Sequence, residues 1–350
     1  MSGTPARTDA DATTDVVCLG ESMVTFLPSQ PGCLADVPSF GRGIGGAESN
    51  VACALAAAGH RAAWVSRVGE DGFGDHLVDA ISAYGVDTSA VRRDPARPTG
   101  IYFRTATDRG TDVHEVAYYR AGSAASAMSP SNVPYEALFA GRVLHLSGIT
   151  AALSADCLAL LHELTAPRPG RPLISFDVNH RPGLWRGADA SPGVLLDLAR
   201  RADLVFVGED EAEEAWEVKG ADAIREALPE PAVLVVKRGA DGATVFSGGP
   251  GPAGTVTDVP ALRVDVVAPV GAGDAFAAGF LSATLRGLPV RDRARHGHLM
   301  AAAVLTVPGD LTDPPARDHA DRLAALDDAA WGRLRLGPGW TGDDQEVRTQ

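Results

Sequence analysis

Short apolar runs alternate with helix-period segments along most of this 350-residue chain, and that rhythm leaves few folds open. VVCLG (16–20) predicts a strand; SNVACALAAAGH (49–60) predicts a helix that sets Val51, Leu55 and Ala58 on one face and stops at Gly59. AAWVSRVG (62–69) reads as a strand and GFGDHLVDAISAYG (72–85) as a helix closed by Gly85. The exchange continues with VLHLSG (143–148), SADCLALLHELTA (154–166), LISFDVN (173–179), LVFVG (204–208) before the acidic helix EDEAEEAW, and VLVVKRG (233–239). Alternation of this kind predicts an α/β fold, a doubly wound and mostly parallel sheet covered on both faces. Ligands of such sheets sit at the carboxyl ends of the strands, which is where Asp177, Asn179, Glu211 and Lys237 fall. Two segments break the rhythm. Residues 24–45 hold strand-like pieces with many Gly and Pro, and 99–120 read as a hairpin around Asp108–Gly110, so the two together predict a small β lid.

The folded body is expected to span 15–335, between a polar tail at 1–14 and a second flexible tail at 336–350. With 31 Lys and Arg against 45 Asp and Glu, the formal charge is −14, which argues against nucleic-acid or membrane surfaces. No apolar stretch is long enough to span a bilayer, and the N-terminus lacks the apolar core of a secretion signal. Four cysteines without C-x-x-C spacing suggest no zinc or redox site, and Cys18 and Cys53 are expected to be buried. A reducing, cytoplasmic setting follows as an expectation. All basic residues except Lys219 and Lys237 are arginine, so a lysine near phosphate would have to be one of these two.

The stretch 266–287, VVAPVGAGDAFAAGFLSATLRG, carries the chemistry. Gly271, Ala272 and Gly273 precede a helical run containing Phe276, Phe280 and Leu281, so they lie at a helix N-terminus. Unpaired amides and the positive dipole end make such a start an anion site, and small residues admit a phosphate closely. Asp274 beside that anion makes sense if it serves an incoming hydroxyl as general base. The competing reading makes Asp274 an N-cap and the glycines a tight turn. Walker-type G-x-x-x-x-G-K-[ST], G-x-S-x-G and a first-turn G-x-G-x-x-G are all absent, and His296 and His298 are spaced wrongly for a shared metal.

GAGDAFAAGF resembles the second signature of the ribokinase (PfkB) family of carbohydrate kinases, and GGAESNVACALAAAG followed by VSRVGEDGFGD resembles the first. The likeness extends over about 15–310 and implies a Rossmann-like sheet with a β lid, and ATP-dependent phosphorylation of a sugar hydroxyl. By resemblance, Asp274 is the base and Gly271, Ala272 and Gly273 the anion hole, while Gly45, Gly46 and Asn50 contact the sugar. Lys237, Arg238, Gly239 and Gly242 border the nucleotide phosphates, and His298 lies near the adenine. Glu211 matches the glutamate of the family's Asn-x-x-Glu motif, which organises Mg2+ through water, although Gly208 replaces the Asn. Ala268 and Pro269 replace the usual acid and threonine before G-A-G-D, which puts a monovalent cation dependence in doubt.

GIYFRT (100–105), YYRAGSAAS (118–126) and DVNHRPGLW (177–185) look most like the family's 2-keto-3-deoxygluconate kinases, and imply that Tyr102, Tyr118, Arg120 and Arg181 bind substrate. Physical chemistry agrees: a chain of charge −14 repels a sugar acid, and arginine supplies the bidentate attraction a neutral sugar does not need. Spacing of two puts Tyr118, not Tyr119, on the face of Arg120. In the alternative, Arg181 pairs with a surface acid and Tyr118 merely packs in the lid. Fructokinase or another neutral-sugar kinase remains the same-class alternative, and a non-catalytic sugar or nucleotide sensor the other-class one. A homodimer or higher oligomer through the exposed lid edge is expected.

Overall fold

The computed structural model describes residues 14–30, 32–105, 116–185, 193–248 and 254–342. In chain order the strands are β1 (Thr14–Leu19), β2 (Met23–Pro28), β3 (Phe40–Gly45), β4 (Ala62–Val65), β5 (Arg67–Gly69), β6 (Arg92–Asp94), β7 (Ile101–Arg104) and β8 (Val116–Tyr119). They continue with β9 (Gly141–Ser147), β10 (Leu173–Asp177), β11 (Leu204–Gly208), β12 (Val233–Lys237), β13 (Ala243–Ser247) and β14 (Thr255–Val259). An eight-stranded sheet runs β14-β13-β12-β11-β10-β9-β1-β4. It is parallel from β4 to β12, and β13 and β14 close the far edge antiparallel.

Alternate residues of the same strand feed two separate cores. Val16, Cys18, Leu204, Phe206 and Val235 pack on one face against helices Ala272–Leu285 and Val290–Leu305. Val17, Leu19, Val205, Val207 and Val236 pack on the other against helix Ala155–Thr165 and its neighbours. Burial on both faces is why these strands read as unbroken apolar runs in sequence. Cys18 and Cys53 are buried as expected.

The two irregular segments form one lid sheet of order β3-β2-β7-β8. Tyr102 pairs with Tyr118 across the antiparallel β7–β8 register, while the Asp108–Gly110 turn lies outside the described residues. AAWVSRVG is not one strand. The chain leaves the sheet at Ser66, whose carbonyl accepts from Arg92 N–H, and β5 pairs with β6 instead. The C-terminal tail also begins later than the polar sequence suggests. Leu336 lies in β16 (Arg335–Leu336), paired with β15 (Arg263–Val264), and Leu336 and Trp340 are both buried. Residues 1–13 and 343–350 lie outside the described residues. Among the described residues no helix is long and apolar enough to cross a membrane.

Candidate active site

Two clefts open along the carboxyl edge of the sheet and meet at the start of helix Ala272–Leu285. The larger, of about 900 Å³, is lined by Lys237, Gly239, Gly242, Ala272, Gly273 and His298 among others. The smaller, of about 620 Å³, lies under the lid and is lined by Gly45, Gly46, Asn50, Tyr102, Tyr118, Arg120, Arg181 and Asp274. Consecutive residues thus divide between the clefts: Ala272 and Gly273 face the larger, Asp274 the smaller.

Local sequence explains the junction. Gly271 occupies the N-cap position with φ 77°, a left-handed conformation suited to glycine. A Cβ there would also lie 2.6 Å from the Asp310 carbonyl oxygen. Asp274 is therefore the third helical residue, not the N-cap, and the helix has no side-chain cap hydrogen bond. The helix's first amides lack intrahelical acceptors and point toward the junction. Gly45 is small for a different reason: a side chain there would collide with the Tyr102 hydroxyl.

The Asp274 carboxylate accepts a 2.9 Å hydrogen bond from Asn50 Nδ2, bridging 224 residues of sequence. Its pKa is pushed up to about 7, chiefly because cleft walls strip it of water. The nearby Asp177 charge adds to the rise, while the Asn50 bond, Arg181 and Lys237 oppose it. Lys237 Nζ bonds both oxygens of Asp177 at 3.1 Å and is held beside Gly273. Burial disfavours its ammonium, yet the Asp177, Glu211 and Asp274 charges keep its pKa above the ordinary value. His298 packs edge-to-face on Phe276, meets the Val259 carbonyl at 3.3 Å, and is pushed by burial down to about 4, hence neutral at neutral pH.

Five sequence expectations need qualification. Arg238 does not line the larger cleft: it pairs with Asp258 at 3.2 Å. Lys237 points into the site, and successive side chains of an extended chain point opposite ways. Gly271 shapes the turn without lining either cleft. Glu211 lines neither cleft; Oε2 accepts from the Gly208 N–H at 3.0 Å, and Oε1 faces Arg181 at 3.7 Å. Arg181 is half exposed on the pocket wall, so it both faces the pocket and stands near an acid. Arg120 is ion-paired with the buried Glu21, which also accepts from Ser123 Oγ.

Glu21 and Asp310 were missed. Glu21 lies two residues past the end of β1, so an acid at a strand's carboxyl end was a usable signal. Asp310 lines the smaller pocket and accepts from Tyr102 Oη at 3.2 Å, a contact across 208 residues that no local pattern announces. Asn179, flagged only as a strand-end residue, lines the same pocket with φ 41°.

A helix start with free amides, set between a cleft of about 900 Å³ and a pocket under a lid, is an arrangement that fits a small-molecule phosphotransferase. The pfkB family carbohydrate kinase model matches residues 13–317, and the chain belongs to that family; it is an ATP-dependent sugar kinase. A 2-dehydro-3-deoxygluconokinase of Bacillus subtilis (strain 168) is 37% identical over 309 residues, covering 87% of this chain and 93% of that protein. Another from Thermoproteus tenax is 33% identical, covering 90% of this chain and 95% of that protein. The crystal structure of a sugar kinase from Pyrococcus horikoshii in complex with ATP superposes with TM-score 0.75 at 26% identity, covering 87% of this chain and 96% of that one.

Proposed function

We propose that the chain transfers the γ-phosphoryl group of ATP to the primary hydroxyl of a sugar acid, 2-keto-3-deoxygluconate, giving the 6-phosphate. The division of Gly273 and Asp274 between two adjoining clefts carries this reading. It lets amides of the helix start hold the transferring group while Asp274 removes the hydroxyl proton from the other side. Asn50 orients the base, and Lys237 brings positive charge to the phosphate path. The lid strands that carry Tyr102 and Tyr118 cover the sugar pocket and limit water. ATP would arrive with Mg2+, an ion that keeps most of its waters and binds through phosphates. Glu211 lies outside the cleft lining, but its charge reaches Lys237 in that cleft, so it would hold the ion through water; the ion would supply charge neutralisation at the phosphates.

A base must be ionised to act, so activity falls as pH drops through its pKa. With Asp274 at about 7, log kcat/KM for the sugar rises with unit slope below pH 7 and levels above it. A flat profile from pH 5.5 to 8.5 contradicts the assignment.

Arg120 and Arg181 line the pocket together and favour an acid substrate. A second reading, a neutral ketose, gains from one observation: Glu21 already engages the Arg120 guanidinium. A coupled ADP-release panel separates the two. Arg181→Ala should raise KM for the sugar acid by about 10- to 100-fold, the worth of a charge-assisted hydrogen bond, and leave fructose nearly unaffected. Equal losses on both sugars favour the neutral-ketose reading.

A further inference from the structure

Asp310 sits where the lid, the sugar pocket and the anion-binding turn converge. Its carboxylate lines the pocket, its carbonyl backs Gly271, and both of its carboxylate oxygens are met from one lid strand. Tyr102 Oη donates to Oδ2 at 3.2 Å, and Arg104 Nη2 reaches Oδ1 at 2.7 Å. Tyr102 and Arg104 share a face of β7 because they are two residues apart. Arg104 does not line the pocket, and its side chain is 5% exposed against 6% for Asp310. A buried ion pair of this kind is a poor source of net stability, but removing one partner leaves a costly unpaired charge.

We infer that Arg104 is a positioning residue for sugar binding: acting through Asp310, it fixes that carboxylate at the pocket wall and ties it to the lid. The inference rests on the sugar-pocket reading above. Burial already holds Asp310 above the usual carboxylate range, with Arg104 and Tyr102 opposing the rise. Without Arg104 the carboxyl would take up a proton, and an acceptor facing the sugar hydroxyls would become a donor. Sugar affinity would then suffer more than the chemical step.

In Arg104→Met, KM for the sugar should rise about tenfold at pH 6.5, the loss of one buried hydrogen bond, with kcat changed far less. The acid limb of log kcat/KM should steepen beyond a slope of one, because loss of the guanidinium leaves burial to raise the Asp310 carboxyl further. Arg104→Lys should restore the single slope. Asp310→Asn should make the further removal of Arg104 nearly silent on KM. A role in stability alone predicts a lower Tm with an unchanged slope and additive effects, and that result overturns the inference. A second readout needs no sugar. Carboxyl 13C NMR of aspartate-labelled protein, with Asp310 assigned by its loss in Asp310→Asn, should show its titration midpoint moving up in Arg104→Met. An unmoved midpoint refutes Arg104's role whatever the substrate, whereas failure to turn over any sugar acid refutes only the substrate reading. Should Arg104→Met fail to fold, the neutral but polar Arg104→Gln gives the same titration comparison.

Discussion

Asp274→Asn should lower kcat by roughly 10²- to 10⁴-fold, the usual contribution of a positioned general base, while leaving ATP and sugar binding close to the parent values. The substitution keeps side-chain size and the cleft position, so the fold and the helix start at Gly271 should survive. The partner contact changes little, because an Asn carboxamide oxygen can still accept from Asn50 Nδ2. What disappears is a basic oxygen able to take the hydroxyl proton as phosphorus is attacked. Isothermal titration of each ligand beside a coupled turnover assay separates binding from chemistry. A fall in kcat/KM through KM alone would make Asp274 a binding group and not the base.

Lys237→Met should reduce kcat/KM for ATP by roughly 10²-fold and also destabilise the protein by about 3–5 kcal/mol. The stability loss comes from Asp177, which is 2% exposed and bonded to the lysine at both oxygens. Removing the cation strands that carboxylate in the interior. The double variant Lys237→Met/Asp177→Leu distinguishes the two roles. Replacing both members of a buried pair with apolar groups is often neutral, so Tm should recover while turnover does not. Recovery of both would reduce Lys237 to a structural counter-ion.

What the sequence disclosed depended on how locally each feature is encoded. The helix start at Gly271–Asp274 was legible because the turn, the amides and the carboxylate are consecutive residues. Strand order beyond alternation was not, since parallel pairing such as β1 with β9 joins segments over a hundred residues apart. Local pattern placed Lys237 at a strand end, but the same reading swept in Arg238, whose side chain points the other way toward Asp258. It ended the fold too early as well: Trp340 sits in a polar, glycine-rich stretch yet is 3% exposed. Glu21 carried only its place past a strand end as a signal and Asp310 none; their roles come from Arg120, Tyr102 and Arg104, partners supplied by tertiary folding. Motif therefore marked the residues proposed to do the chemistry, and gave no sign of the buried acids that pair with Arg120, Tyr102 and Arg104.

The most direct test is a crystal structure of the ternary complex with a non-hydrolysable ATP analogue and the sugar acid. The account predicts the sugar's primary hydroxyl within about 2.6–3.2 Å of an Asp274 carboxylate oxygen, with the terminal phosphate on the amides of residues 272–274. A hydroxyl directed away from Asp274, or a triphosphate bound elsewhere than beside Gly273 and Lys237, would contradict it.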